Sequence, residues 1–212
     1  MKPILFNTEM IKAILDGKKT CTRRKFKLPK EIIKENDGTY TLYADCDGYY
    51  PNQDLQELFL IGYLLPRYKV GDILYVRETF KTYTKRIGKG ENCHIEKFIG
   101  YKADSNIDVP SEFYEDKWKP SIHMPKDLAR IFLKVTNIKF EKLQDIANDE
   151  PGVKNQVVKE GFNYLNDFII TWNKTIDKKE YDKYCWDANP YVWVYEFEVI
   201  TKKQAIDLSD KE

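Results

Sequence analysis

The stretch PILFNTEMIKAILDGKKTCTRR, residues 3–24, sets the order of the first secondary-structure elements. The apolar run at its start predicts a short strand. Asn7 or Thr8 can then cap a helix by accepting hydrogen bonds from the first backbone N–H groups of that helix. Gly17 suits the left-handed conformation that commonly ends a helix. One face of this helix is predicted to carry the apolar side chains of Met10, Ile11, Ile14 and Leu15.

The chain after Gly17 is predicted to leave the helix as a strand that is rich in charge. Because side chains alternate along a strand, its two faces should carry different residues. The expected faces are Thr20, Thr22 and Arg24 on one side, and Cys21 and Arg23 on the other. Runs of charge commonly lie on a surface, so a solvated basic strip is the alternative interpretation of residues 16–25.

Regular patterns continue along the rest of the chain. Residues 68–83 are predicted to contain a turn at Gly71–Asp72 followed by a strand from Ile73, and further strands are predicted at residues 98–104, 129–143 and 191–200. Helical spacing predicts helices at residues 143–160, with an interruption at Pro151–Gly152, and at residues 162–174.

The remaining segments read as connections. Residues 84–97 are predicted to form a polar loop. Residues 28–66 read as an insertion that carries a hairpin and a short helix at residues 53–60. Several short strands, few helices and no βαβ rhythm together indicate an α+β fold around a small β-barrel.

The composition bounds the class of protein. With 212 residues, 42% of them hydrophobic, the chain suits a single domain over residues 1–212. The net charge of +1 argues against a protein that coats nucleic acid by charge alone, so any site for a polyanion should be local. The four cysteines form no CxxC pair, and the apolar run at residues 58–65 is far shorter than the roughly 20 residues of a membrane span. We therefore expect a cytoplasmic protein without a membrane partner.

Residues 17–24, GKKTCTRR, match the GxKxxxxR signature of ASCH domains, and the chain resembles this family of the PUA-like superfamily. Further matching blocks are Val70–Asp72, Tyr75–Thr79, Trp118–Ser121, Met124–Pro125, Leu143–Ile146, Glu160–Phe162 and Trp186–Pro190. More closely, the chain is similar to the larger ASCH proteins of phages and prophages. The resemblance implies a PUA-like β-barrel with a cleft, and RNA or a modified nucleoside as its partner.

A small bacterial branch of this family hydrolyses 4-acetylcytidine to cytidine and acetate. By resemblance, Lys19 and Thr22 take the positions of the working lysine and threonine, Glu160 that of the glutamate, and Arg24 that of the signature arginine. The chain differs from this branch in its length, in the insertion at residues 28–66, and in its Trp and Arg-Glu motifs.

The chemistry of amide hydrolysis sets conditions on these residues. The hydroxyl of Thr22 becomes a nucleophile only when a base removes its proton, and a lysine can do so only when its pKa lies well below about 10.4. Nearby positive charges favour such a base, and they are supplied by Lys18, Arg23 and Arg24. Glu160 would orient Lys19 or pass a proton to the leaving amine. In a regular strand Lys19 and Thr22 would point to opposite faces, so Lys19 must lie on the bend after the helix.

Other residues are candidates for binding the ligand. Arg77 and Glu78 follow each other on a predicted strand, so one should face the pocket while the other is a structural or surface charge. Trp118 would either wall the pocket, where stacking of a base is worth about 1–3 kcal/mol, or pack in the core. Lys119 and Ser121 follow it in the same motif.

The remaining reactive side chains have simpler interpretations. Cys21 is interpreted as a small buried side chain rather than a nucleophile. Cys93, His94 and His123 lack further ligands at zinc-like spacing, so we expect no metal and no cofactor. Two functional alternatives stay open: a non-catalytic RNA-binding module, and a phage accessory protein that binds a partner through an apolar patch at residues 59–65.

Overall fold

The computed structural model describes residues 1–30, 32–44, 48–60, 62, 64–104, 117–148 and 155–210. The strands in these ranges are β1 (Lys2–Leu5), β2 (Cys21–Lys25), β3 (Ile32–Lys34), β4 (Tyr40–Ala44), β5 (Gly48–Gln53), β6 (Ile73–Arg77), β7 (Phe80–Ile87), β8 (His94–Tyr101), β9 (Phe132–Lys142) and β10 (Tyr191–Ile200). The α-helices are α1 (Thr8–Leu15), α2 (Leu55–Leu60), α3 (Gln156–Lys159), α4 (Leu165–Lys174), α5 (Tyr181–Tyr184) and α6 (Lys202–Ser209).

Helix α1 begins and ends as the sequence predicts. The side chain of Asn7 accepts a hydrogen bond of 2.8 Å from the backbone N–H of Met10. Gly17 has φ +68°, the left-handed value that lets the chain turn away after the helix. Ile11 and Ile14 are buried, whereas Leu15 is 51% exposed, so the apolar face is narrower than predicted.

The strands form three sheets. The largest has the order β1-β6-β9-β10-β2, the second is β3-β4-β5, and the third is the pair β7-β8. In the largest sheet β1 is parallel to β6, while β9 is antiparallel to β6 and β2 is antiparallel to β10. This mixture of open sheets and helices confirms the α+β class. The finer form, a PUA-like barrel, stays a prediction.

The chain divides into two compact units, each assembled from separate segments. The first unit contains residues 1–20, 70–136 and 197–212. Its core residues include Ile73, Phe80, Met124, Ala129, Phe132 and Ala205. The hairpin of β7 and β8 also belongs to this unit, with Phe80 opposite Tyr101 and Ile87 opposite His94.

The second unit contains residues 21–69 and 137–196. One of its cores packs α4 and strand residues together and includes Cys21, Leu143, Ile146, Val157, Phe168, Trp172, Val192 and Val194. An aromatic cluster, in which ring centroids lie 4.8–6.0 Å apart, contains Phe26, Phe59, Phe140, Tyr191 and Trp193. The predicted insertion contributes β3, β4, β5 and α2, so its hairpin and short helix are confirmed.

Two predicted elements are wrong. The supposed polar loop at residues 84–97 is mostly the paired strands β7 and β8, joined through a 3-10 turn at Gly90–Asn92. The supposed helix at residues 143–160 begins as a 3-10 helix at Leu143–Ala147 and ends as the four-residue helix α3. Its expected interruption at Pro151–Gly152 lies outside the described residues.

None of the helices in the described ranges combines the length and the apolar character that a membrane span requires.

Candidate functional site

Strand β2 carries four of the signature residues and lies in the second unit. It pairs with β10 so that Thr22 is opposite Tyr195 and Arg23 is opposite Val194. Cys21 is fully buried in the core that contains α4, and Arg23 shares its face. Thr22 and Arg24 point to the opposite face of the sheet. The predicted alternation along this strand is therefore confirmed, as is the buried, structural position of Cys21.

Arg23 is a buried cation held between two carboxylates. Only 5% of its surface is exposed. Its Nη2 donates to Oε1 of Glu141 at 2.6 Å, and its Nη1 donates to Oε1 of Glu160 at 3.3 Å. Burial lowers the pKa of Arg23, but the charges of Glu160 and Glu141 outweigh this effect and leave the pKa raised. The guanidinium is therefore permanently charged.

The two carboxylates come from different elements of the second unit. Glu141 lies near the end of β9, and its side chain is 23% exposed. Glu160 follows α3 and closes that helix, since its backbone N–H donates to the carbonyl of Gln156 at 3.1 Å. The Glu160 side chain is only 2% exposed. One guanidinium thus faces two carboxylates, and among the described residues Nε of Arg23 has no hydrogen-bond partner.

The other face of β2 is aromatic. Thr22 is 3% exposed. Burial is the largest influence on the guanidinium of Arg24 and lowers its pKa. Tyr68 and Tyr195, whose rings meet edge to face at 5.1 Å, are both in electrostatic contact with Arg24. Burial raises the pKa of Tyr195 to about 12, and its hydroxyl accepts a hydrogen bond of 3.2 Å from the backbone N–H of Arg67.

Lys18 and Lys19 lie in the first unit, on the bend that follows α1. The backbone N–H groups of both residues donate to the carbonyl of Ala13 at 2.9 Å, and β2 starts only at Cys21. The prediction that Lys19 lies on this bend is thus confirmed. Lys18 is exposed and pairs with Asp16 at 3.3 Å. Lys19 is only 1% exposed, and its Nζ lies 5.6 Å from the centre of the Phe6 ring. The solvated-strip interpretation therefore fails for Lys19 and for Arg23.

Arg77 and Glu78 have different partners within the first unit. Nε of Arg77 donates to the carbonyl of Met124 at 2.8 Å. Glu78 is 2% exposed and accepts two hydrogen bonds from Arg130, at 2.9 and 3.0 Å. Arg130 also pairs with Asp104 at 2.8 Å. Glu78 is the buried member of the Arg-Glu motif, and its fork-shaped pair with Arg130 is an arrangement that fixes both side chains.

Trp118 is a partly exposed ring with a cation beside it. Its exposure is 39%, and Nζ of Lys81 lies 4.9 Å from the ring centre. Lys119 forms a β-bridge with Phe80, with hydrogen bonds of 2.7 and 3.2 Å between their backbones. Ser121 begins a 3-10 turn. The core-packing interpretation of Trp118 does not apply, because its ring is accessible.

The predicted site residues have different partners in the two units. In the second unit the structure joins Arg23 to Glu160 and places Thr22 on the same strand. In the first unit it gives Arg77 and Glu78 separate partners. Two residues that pair with them, Glu141 and Arg130, were not predicted. For Glu141 the available signal was its place at the end of a strongly alternating strand. In the described ranges, no three side chains of His, Cys, Asp or Glu gather closely enough to hold a metal ion.

Comparisons with protein-family models, with curated proteins and with solved structures find no match to this chain.

Proposed function

We propose that the chain is an ASCH-type, PUA-like protein that recognises a pyrimidine nucleoside, free or within RNA, and hydrolyses an N4-acyl amide on it. The roles of Lys19, Thr22 and Arg24 follow the resemblance of residues 17–24, and that of Glu160 follows the block Glu160–Phe162. Thr22 is the nucleophile, Lys19 accepts its proton, and Glu160 relays a proton to the leaving amine. Arg24, as the signature arginine, contributes to binding.

The burial of these three side chains is the observation that carries the proposal. Lys19 is 1% exposed, Glu160 2% and Thr22 3%. Lysine and glutamate are almost never fully buried unless they are paired, because removing an ion from water costs several kcal/mol even after the protein relaxes. Glu160 meets this condition through its ion pair with Arg23. A merely solvated basic strip would show none of this.

The proposed reaction proceeds through an ester on Thr22. The hydroxyl oxygen attacks the acyl carbonyl carbon while Lys19 accepts the hydroxyl proton. The carbon–nitrogen bond then breaks, its electron pair stays on N4, and N4 takes up a proton relayed by Glu160. A water molecule next hydrolyses the ester, which releases the carboxylate and restores the threonine.

The test is to incubate the protein with 4-acetylcytidine and to follow the release of cytidine and acetate by chromatography. Thr22→Ala should reduce the rate by at least about a hundredfold, and Lys19→Met and Glu160→Gln should also lower it, because each removes a proton-transfer step or the nucleophile. Thr20→Ala is the matched control from the same stretch and should retain activity. Equal rates for wild type and Thr22→Ala would rule out the threonine mechanism.

A non-catalytic RNA-binding module is the second candidate, and Trp118 is the observation that favours it. The accessible ring, 39% exposed, offers a stacking surface, while the Lys81 cation against it is itself buried. This candidate predicts that single-stranded RNA binds, that the affinity falls as salt is added, and that Trp118→Ala weakens binding. Binding of RNA without release of acetate would support it against the hydrolase.

A further inference from the structure

A cavity of about 540 Å³ lies entirely within the second unit. It is lined by residues of three kinds of element: Lys34 and Tyr40 from the insertion, Lys142 and Tyr191 from the strands of the large sheet, and Lys183 and Tyr184 from α5. Its volume falls within the roughly 300–1,000 Å³ that is usual for small-molecule sites. Thr22 and Glu160 are not among the residues that line it, so it differs from the candidate catalytic residues.

Among the described residues, three of the four charged side chains that line the cavity are lysines, and two further acidic residues act on Lys142. Its lining contains Lys34, Lys142 and Lys183 against one acidic residue, Asp182. Burial lowers the pKa of Lys142, and the neighbouring charge of Lys34 lowers it further, although Asp54 and Asp145 act in the opposite direction. Two ammonium groups that repel each other across one cavity form a site where a bound anion is stabilising.

Aromatic rings accompany these cations. The ring of Tyr191 stacks on Phe140 at 4.8 Å with an interplanar angle of 5°, and Nζ of Lys142 lies 4.0 Å from the centre of the Tyr191 ring. These contacts fix Lys142 against a rigid aromatic wall. Tyr184 supplies a second, half-buried ring, with Nζ of Lys25 at 5.2 Å from its centre. A flat aromatic ligand can stack on such a ring.

The wall between α5 and β10 is held in place by hydrogen bonds. Asn189 lines the cavity with φ +43°, a left-handed value that is uncommon outside glycine. Its side-chain oxygen accepts a hydrogen bond of 2.9 Å from the backbone N–H of Gln144. The carbonyl of Pro190 accepts one of 2.9 Å from Leu143, and the carbonyl of Tyr184 accepts one of 2.8 Å from Nε1 of Trp172. These hydrogen bonds fix this wall of the cavity.

We propose that this cavity is a nucleotide-binding site in which Lys34 and Lys142 hold a phosphate and Tyr184 stacks on the base. A nucleotide carries a dense negative charge, which the lysines can bind, and a flat aromatic base, which a tyrosine ring can stack on. The site goes beyond the proposed hydrolysis and does not depend on it. Its ligand is either a free mononucleotide or one nucleotide of an RNA strand.

The test is calorimetric titration of the full chain with cytidine 5′-monophosphate, with cytidine and with inorganic phosphate. Wild type should bind the monophosphate more tightly than either of its parts. The Lys34→Met/Lys142→Met double variant should lose about tenfold or more in affinity for the monophosphate, because it loses charge-assisted contacts, while its weak affinity for cytidine is unchanged. Tyr184→Leu should weaken binding of the monophosphate and leave binding of inorganic phosphate unchanged.

Matched variants separate this result from loss of folding. Lys174→Met, at an exposed lysine at the end of α4, should bind like wild type. Lys183→Met changes an exposed lysine that lines the cavity. It should weaken binding of the monophosphate without disturbing the core. Thr22→Ala should bind the monophosphate normally, even where it abolishes hydrolysis. Failure of the hydrolase proposal is thereby distinguished from failure of this one.

A five-residue oligocytidylate identifies the source of the nucleotide. Tighter binding of the oligomer than of the monophosphate points to an RNA strand, and equal affinity points to a free mononucleotide. The proposal is overturned if wild type binds the monophosphate no better than cytidine. It is also overturned if the double lysine variant binds as tightly as wild type, or if Thr22→Ala abolishes binding of the monophosphate.

Discussion

Arg23 shows how a single side chain can belong to a signature motif and still be structural. Its two carboxylate partners, Glu141 and Glu160, lie 118 and 137 residues away in sequence. A guanidinium suits this position because its planar fork donates to both carboxylates at once, which an ammonium cannot do with the same geometry. The ligand-binding role given to Arg23 stays a prediction, whereas its part in holding β2, β9 and the end of α3 follows from these contacts.

Replacing Arg23 should therefore cost stability. Arg23→Met leaves Glu141 and Glu160 close together without the cation between them, and removing one partner of a buried ion pair typically costs about 3–5 kcal/mol of unfolding free energy. Urea unfolding followed by circular dichroism measures the loss. Arg86→Met, at an exposed arginine of β7, should change the unfolding free energy by less than about 0.5 kcal/mol. Equal stabilities for the two variants would show that the Arg23 network contributes nothing.

The sequence predicts the face of Arg23 but not its partners. Alternation is a local property, so the split between Cys21 and Arg23 on one side and Thr22 on the other could be worked out from the strand alone. The pairing with Glu141 and Glu160 depends on long-range folding and leaves no local signal. The same reason explains why Arg130, which is 52 residues from Glu78, was missed.

At the scale of elements, a strand is visible in the sequence only where burial imposes a pattern. Strand β10 was predicted with its full bounds from its apolar odd-numbered residues, although Val192 and Val194 are buried as well and Val199 is 55% exposed. The far ends of β7 and β8 were missed because Lys85, Arg86 and Ile95 are all exposed there. Backbone pairing holds that part of the hairpin together, and backbone hydrogen bonds leave no trace in side-chain periodicity.

The turn of this hairpin offers a matched pair of glycine substitutions. Gly88 has φ +86° and Gly90 has φ +60°, conformations that cost a residue with a side chain roughly 1–2 kcal/mol. A methyl group at Gly88 would also overlap the backbone oxygen of Asn92, whereas one at Gly90 would meet open space. Gly88→Ala should therefore lower the free energy of opening of β7 and β8, measured by hydrogen exchange, by clearly more than Gly90→Ala. An equal effect of the two substitutions would contradict the turn geometry.

At the scale of the whole molecule, the two compact units are interleaved along the chain. The first takes residues 1–20, 70–136 and 197–212, and the second takes the segments between them. The boundaries after residues 136 and 196 fall inside β9 and β10, so each of these strands begins in one unit and ends in the other. Composition and length alone predicted one domain. Such interleaving is set by contacts between distant segments and cannot be read from local patterns.

Because two strands run unbroken from one unit into the other, we expect the units to unfold together. Leu133→Ala removes a fully buried side chain of the first unit, and a substitution of this kind costs about 2–5 kcal/mol. If unfolding is cooperative, the slowest-exchanging amides of β2 in the second unit should lose the same free energy of protection as those of β6 in the first. Native-state hydrogen exchange measures both in one experiment.

Val194→Ala, which truncates a buried side chain of the second unit, tests the reverse direction. Protection in β2 that is unchanged by Leu133→Ala would mean that the units unfold independently, with β9 and β10 able to lose order in one half only.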